Sequence, residues 1–287
     1  MDLDPTSDAS CERPLSDTTD MTVDQTEMDS QLLALRDRFV SPALQQLQSG
    51  QVAPSEIKFL LDEGQAQCVE LLLRSHLIAD PHADTSLIGS GRYRVTTLYC
   101  DTPDFETFRR AGGYKRRKYR LRRYGQESRL FLERKTRRGE HVRKHRTTVD
   151  LEQLRRLSEP WTTAGTESES WSGEWFQKQL VRRRLQPVCN LEYLRTALVG
   201  DIDGSSLRVT LDRELRGSIS TDWQIEFDAP GVPFLAGGVV VEFKFCGPLP
   251  ALFKSVMHDL KLVPGGVSKY RHCVQTLGIA DRSPFHA

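Results

Sequence analysis

Residues 116–124 read Arg116-Arg117-Lys118-Tyr119-Arg120-Leu121-Arg122-Arg123-Tyr124. Successive side chains of a β-strand point to opposite faces. Extended, this stretch sets Arg116, Lys118, Arg120 and Arg122 on one face and Tyr119 and Leu121 on the other. The same division recurs along the chain. Glu56 and Lys58 oppose Ile57, Phe59 and Leu61, and Glu133 and Lys135 oppose Leu130 and Leu132. Arg208 and Thr210 oppose Val209 and Leu211; Glu242 and Lys244 oppose Val239, Val241, Phe243 and Phe245.

An open sheet with its polar face in water is the ordinary explanation of such alternation. Two features favour another. The polar faces are mostly cationic in several separate strands, and amphipathic helices are available to cover the apolar faces. If the sheet curls with its apolar face outward beneath helices, the charged face lines a tunnel. Like charges enclosed together repel and lose solvation, at several kcal/mol per unpaired ion. A polyanion is the missing counter-charge. Repeated phosphates suit it, since Arg presents a fork of donors and Lys a compact charge.

Working outward from this segment, short strands alternate with helices in no regular βαβ rhythm. Strands are expected at 55–61, 93–100, 116–124, 129–136, 141–149, 190–198, 206–211, 222–227 and 239–245, and helices at 64–77, 103–110, 151–157, 173–185, 249–260 and 269–277. The expected class is α+β: an antiparallel β-barrel tunnel with a polar interior and helices packed outside. Residues 54–279 form this domain. Residues 1–30 hold nine acids against Arg13 alone and too few apolar groups to offset the entropy of ordering, so an acidic disordered tail is expected. Residues 31–53 read as a linker with a weak helical pattern, and 280–287 as a tail.

The formal net charge of the 287 residues is only +1, but its distribution is uneven. Residues 110–146 contain sixteen Arg and Lys against Glu127, Glu133 and Glu140. The six cysteines are scattered without a C-x-x-C pair, which argues against a zinc site or disulfide framework and for a reducing compartment. No secretory leader is read, and the most apolar stretch, 232–245, is interrupted by Pro233, Gly237, Gly238, Glu242 and Lys244, so no membrane span is expected. A cytoplasmic location follows from these readings. Chain length, primer, regulator and oligomeric state leave no signature.

Eight short strings in order then carry a family resemblance: Ser55-Glu56-Ile57-Lys58-Phe59, Thr97-Leu98-Tyr99-Cys100-Asp101-Thr102-Pro103-Asp104, Lys118-Tyr119-Arg120-Leu121-Arg122-Arg123-Tyr124, Leu132-Glu133-Arg134-Lys135, Glu192-Tyr193-Leu194-Arg195-Thr196-Ala197-Leu198, Arg208-Val209-Thr210-Leu211-Asp212, Val241-Glu242-Phe243-Lys244-Phe245 and Ser268-Lys269-Tyr270. Together they resemble the VTC-type polyphosphate polymerase domain, of the triphosphate tunnel metalloenzyme (CYTH-like) superfold. The resemblance implies a divalent-metal-dependent enzyme, using Mn²⁺ or Mg²⁺, that moves the γ-phosphate of ATP onto a growing polyphosphate chain. It implies Lys58, Arg120, Arg122, Lys135, Arg195, Arg208 and Lys269 on the phosphates and Glu242 as metal ligand. Where the superfold often opens Glu-x-Glu-x-Lys, Pro54 takes the first Glu position, which weighs modestly toward transfer or binding and away from hydrolysis. Membrane helices and a phosphate-sensing domain, found in the family's eukaryotic members, are not read here.

The expected catalytic set is thus Lys269, Arg120, Arg122 and Glu242. Lys58, Lys118, Lys135, Arg195, Arg208, Lys244 and Ser268 bind substrate beside them. Glu242 lies among apolar residues, where a lone carboxylate needs a partner or a metal; a salt bridge to a tunnel Arg is the plainer alternative. Glu56 and Glu133 are weaker candidates, able simply to pair with Lys58 and Lys135. Lys269 follows Gly265-Gly266-Val267-Ser268 at a helix start, where backbone N–H groups favour phosphate. ATP and polyphosphate are the expected partners. A triphosphatase acting on tripolyphosphate or an RNA 5′ end, and a non-catalytic polyphosphate or nucleic-acid binder, stand as alternatives. Nucleic acid is disfavoured because it would need aromatic residues beside the cations to stack bases, and the interleaved apolar residues belong to the opposite face.

Overall fold

The fold is described from a computed structural model, covering residues 54–80, 83, 91–138, 141–159, 171–202, 204–225 and 230–281. The chain divides into two units, Met1–Val40 and Ser41–Ala287, and all the described residues belong to the second. The acidic tail and the helical pattern before Pro54 lie outside them.

Among the described residues, ten strands make one antiparallel sheet: β1 (Ser55–Asp62), β2 (Ile78–Ala79), β3 (Arg92–Asp101), β4 (Arg117–Tyr124), β5 (Arg129–Arg138), β6 (His141–Asp150), β7 (Gln186–Ile202), β8 (Ser205–Ile219), β9 (Val232–Pro233) and β10 (Gly238–Phe245). Hydrogen-bonded neighbours follow the order β1-β10-β8-β7-β3-β4-β5-β6, with β2 on β7 and β9 on β8. The helices are α1 (Glu63–Arg74), α2 (Glu106–Arg109), α3 (Glu174–Arg183), α4 (Ala251–Asp259) and α5 (Lys269–Leu277). Leu151–Leu157 winds as a 3-10 helix. Strands β7 and β8 run well past the expected bounds. No strand forms at 222–225, and 226–227 lie outside the described residues.

The apolar faces point outward, beneath helices. Phe59, Leu61, Val209, Leu211, Val241 and Phe243 pack against Ala66, Val69 and Leu73 of α1 and Phe253 and Val256 of α4. Leu98, Tyr119, Leu121, Leu130 and Leu132 pack against Phe176 and Leu180 of α3 and Leu154 and Leu157 of the 3-10 helix. These side chains are almost wholly removed from water, the Val, Leu and Phe among them each contributing about 1.5–3 kcal/mol of burial. The polar face is thereby turned to the inside of the curl.

The sheet is curled, not closed: among the described residues the two ends of the strand path, β1 and β6, share no ladder. Side chains bridge the gap instead. Lys135 of β5 reaches Glu56 of β1 at 3.1 Å, an ion pair between residues 79 apart in sequence.

Helix α5 differs from the others. Its buried residues Tyr270, Cys273 and Val274 join Tyr93, Val95, Tyr99, Leu191, Tyr193 and Val240, all inner-face residues by strand parity. It therefore packs against part of the inner face and leaves its N-terminus toward the charged part. Gly217 makes this approach possible, because a Cβ there would collide with Cys273 Sγ.

Candidate functional site: a cation-lined bore

The antiparallel register carries the charged residues of neighbouring strands onto shared rungs. On one side Lys58 lies opposite Glu242, and Glu242 opposite Thr210; Glu56 lies opposite Lys244, and Lys244 opposite Arg208. On the other, Lys118 faces Lys135 and then Lys144, and Arg120 faces Glu133 and then Arg146. The start of α5 adds Ser268 and Lys269. Eleven cations of this inner face (Lys58, Lys118, Arg120, Arg122, Lys135, Lys144, Arg146, Arg195, Arg208, Lys244 and Lys269) meet five carboxylates: Glu56, Asp80, Glu133, Asp212 and Glu242.

Glu242 is ringed by lysines rather than by an arginine. Lys58 bonds its Oε1, Lys244 lies 3.1 Å from Oε2 and Lys269 3.6 Å from Oε1. Burial alone would raise its pKa, but Lys58, Lys244 and Lys269 outweigh it and hold the carboxyl well below the usual range. Glu56 pairs with both Lys58 (2.8 Å) and Lys135 (3.1 Å). Against burial and the neighbouring Glu242, these lysines bring its pKa to about 2. Glu133 goes to Arg120 (2.6 Å), Arg146 and Lys144 (3.3 Å) and not to Lys135.

Arg195 makes a two-toothed pair with Asp212, Nε to Oδ1 at 2.6 Å and Nη2 to Oδ2 at 2.8 Å. Lys269 adds a third donor to Asp212 at 2.7 Å. Arg208 reaches Asp80 at 2.7 Å. Arg122 has only a hydroxyl partner among these contacts, Thr97 Oγ1 at 3.2 Å. Arg122 and Arg146 also overcome burial at Tyr124 and hold its phenol well below the ordinary value, whereas at Tyr93 burial outweighs Arg208 and Arg195 and pushes the phenol up.

Lys118 is distinctive. Its ammonium donates to Ser268 Oγ at 2.9 Å and has no carboxylate partner among the described residues. Burial, followed by Lys58, Lys135, Arg120 and Arg110, lowers its pKa to about 7. Ser268 meanwhile caps α5, accepting from the Arg271 N–H at 3.4 Å, so Lys118 is tied to the helix that carries Lys269.

The catalytic and substrate-binding residues expected from sequence therefore face this one bore, while Arg116, of the same parity, lies exposed before β4. Several neighbours escaped that reading. Asp212 lies one residue past the expected end of its strand, yet the parity of Arg208 and Thr210 leads straight to it. Lys144 and Arg146 alternate with Arg143 and His145, so both faces of β6 are polar and no binary pattern distinguishes them. Asp80 sits on an irregular turn beside two-residue β2 and offered no signal. Tyr99 and Tyr193 line the inner wall, whereas Tyr119 is buried outside against Phe176.

A curled antiparallel sheet with helices over its apolar face and surplus cations inside defines a tunnel protein with a positively charged interior. The VTC domain family model matches residues 54–278, and the chain belongs to that family. Among solved structures, the chain is similar to HpAC1 from Hippeastrum, an adenylyl cyclase candidate described as having a dominant triphosphatase activity (14% identity, 78% of this chain and 96% of that one, TM-score 0.46). It is also similar to an adenylate cyclase candidate from Bacillus halodurans (13%, 79% and 98%, TM-score 0.45). The PH1819 protein from Pyrococcus horikoshii is a third likeness (11%, 78% and 99%, TM-score 0.39). No curated protein matches the sequence. No helix among the described residues is long and apolar enough to cross a membrane.

Proposed function

We propose that this protein is an ATP-dependent polyphosphate polymerase, transferring the γ-phosphate of ATP to a polyphosphate chain held in the bore. The surplus of inward cations over carboxylates carries this reading. Phosphoryl transfer needs little covalent chemistry from protein; alignment and neutralisation of phosphate charge do most of the work. In the proposed reaction a terminal oxygen of the chain attacks the γ-phosphorus, the bond to the bridging oxygen breaks and ADP leaves. Arg120, Arg122, Lys118 and Lys135 clamp phosphate oxygens from one wall. Lys58, Lys244, Arg195 and Arg208 complete the ring from the other, exchanging carboxylate partners for phosphate. Ser268 and Lys269 present the N-terminus of α5 to the same charge.

The donor set suits a divalent ion that arrives with phosphate. Among the described residues no three His, Cys, Asp or Glu groups cluster as a ready-made metal cage. Glu242 stays ionised, however, and on the same rung the Thr210 hydroxyl is buried without a hydrogen-bond partner. Mg²⁺ and Mn²⁺ are hard cations; Mg²⁺ typically takes one or two carboxylates and fills its remaining sites with water and phosphate oxygens. Glu242 is the residue proposed to hold such an ion, which when bound neutralises charge on the phosphates.

Purified protein given ATP and Mn²⁺ is expected to make acid-stable long-chain polyphosphate, and Glu242→Ala to abolish it. Product in which only short fragments accumulate would identify a triphosphatase instead. Undiminished synthesis by the Glu242→Ala variant would sink the role given to that carboxylate.

A further inference from the structure

The cation row of β4 does not end inside the bore. Inner rungs step outward from Arg122 through Arg120 to Lys118. Arg116, one residue before the strand, still accepts the Arg137 N–H at 2.8 Å, so the alternation continues and Arg116 follows Lys118. It is exposed, as are Lys115 beside it and Arg110. Arg110 stands near enough to Lys118 to help lower its pKa. On the outer face Arg117 and Arg143 flank Thr136 in register.

The balance of charge changes along this path. The Arg120 rung contains Glu133, and the Lys118 rung borrows Glu56 through Lys135. At the rim, Arg110, Lys115, Arg116, Arg117 and Arg143 have no carboxylate partner among the described residues. From Arg116 to Arg122 the row runs about 20 Å at ~3.3 Å per residue, more than three linked phosphates can span. A nucleic acid would want exposed rings to stack its bases. Tyr114, the aromatic residue beside the rim, is instead committed: its hydroxyl donates to Arg183 O at 2.9 Å, and the Arg183 guanidinium lies over its ring at 5.5 Å.

We propose that Lys115, Arg116 and Arg117, with Arg110 and Arg143, form a rim site that holds the part of a polyphosphate chain lying beyond the bore. The proposal rests on the bore's being a polyphosphate site. The rim favours long chains over triphosphates and keeps a growing chain attached between additions.

The test compares the wild type with a Lys115→Gln, Arg116→Gln, Arg117→Gln variant, binding tripolyphosphate and long-chain polyphosphate to each across a salt series. A Lys115→Ala, Arg116→Ala variant serves the same purpose should the triple change unfold. Long-chain affinity is expected to fall by about tenfold and its salt dependence to flatten, with tripolyphosphate affinity unchanged. An equal loss for both ligands, or no loss for either, overturns the rim site while leaving the bore intact. Wild type that binds neither ligand overturns the reading of the bore itself. Loss of single-stranded RNA binding with full retention of long-chain polyphosphate would reassign the rim to nucleic acid and overturn the proposal.

Discussion

Lys118 shows what a single residue contributes when its surroundings are all of one sign. Buried among Lys58, Lys135, Arg120 and Arg110, it sheds its proton near pH 7. A bound polyanion reverses that balance and raises its pKa, so binding takes up a proton. Affinity for tripolyphosphate should therefore be level below about pH 7 and weaken as pH climbs above it; Lys118→Met should flatten that slope in a titration series. The unliganded protein runs the other way. Because the folded pKa lies below the ordinary lysine value of 10.5, the unfolded chain binds more protons between about 7 and 10.5. Stability should rise with pH across that window, and the difference between wild type and Lys118→Met in thermal melts isolates the effect. Lys118 was legible as a bore residue from strand parity, but its lack of a carboxylate was not, since Glu56, which pairs Lys135, comes from the far end of the strand path.

At the scale of elements, α5 is the piece that turns an open curl into a site. Tyr270 donates to Asp101 Oδ2 at 2.5 Å and stacks on Tyr99 at 4.9 Å. Asp101 also accepts the N–H groups of Thr102, Thr107 and Phe108, so one carboxylate fastens β3, α2 and α5 together. That anchor fixes where Lys269 enters the bore. Gly217→Ala would place a methyl group on Cys273 Sγ. It should cost about 1–3 kcal/mol by overpacking and, by displacing α5, lower synthesis beyond the loss of folded protein; melting and activity measured on the same samples check both. The helix itself was readable from sequence, its N-terminus at Lys269 included. Its place against the inner face was not, because an amphipathic pattern says which side is buried and not what buries it. The strand expected at 222–227 also failed at 222–225, where Ser220 and Asp222 instead fold into local turns, Ser220 Oγ bonding the Asp222 carbonyl and Asp222 Oδ1 accepting the Gln224 N–H.

For the molecule as a whole, the bore holds more cations than carboxylates, so a polyanion bound there should add stability. Tripolyphosphate should raise the melting temperature in a concentration-dependent way, following the logarithm of ligand over its dissociation constant. The gain should shrink at high salt, which screens the partly exposed cations; a shift independent of salt would mean that ligand binds elsewhere. The alternation of Lys118, Arg120 and Arg122 with Tyr119 and Leu121 was enough to mark that strand and the division between its polar and apolar faces, because period-two patterning is written residue by residue. Which carboxylate meets which cation was decided only by tertiary structure. Lys135 with Glu56 joins β5 to β1, and Lys269 with Asp212 and Glu242 joins a helix to two strands; such pairings depend on the curl and the seating of α5, which no local stretch of sequence encodes, whereas Arg195 meets Asp212 within the β7–β8 hairpin.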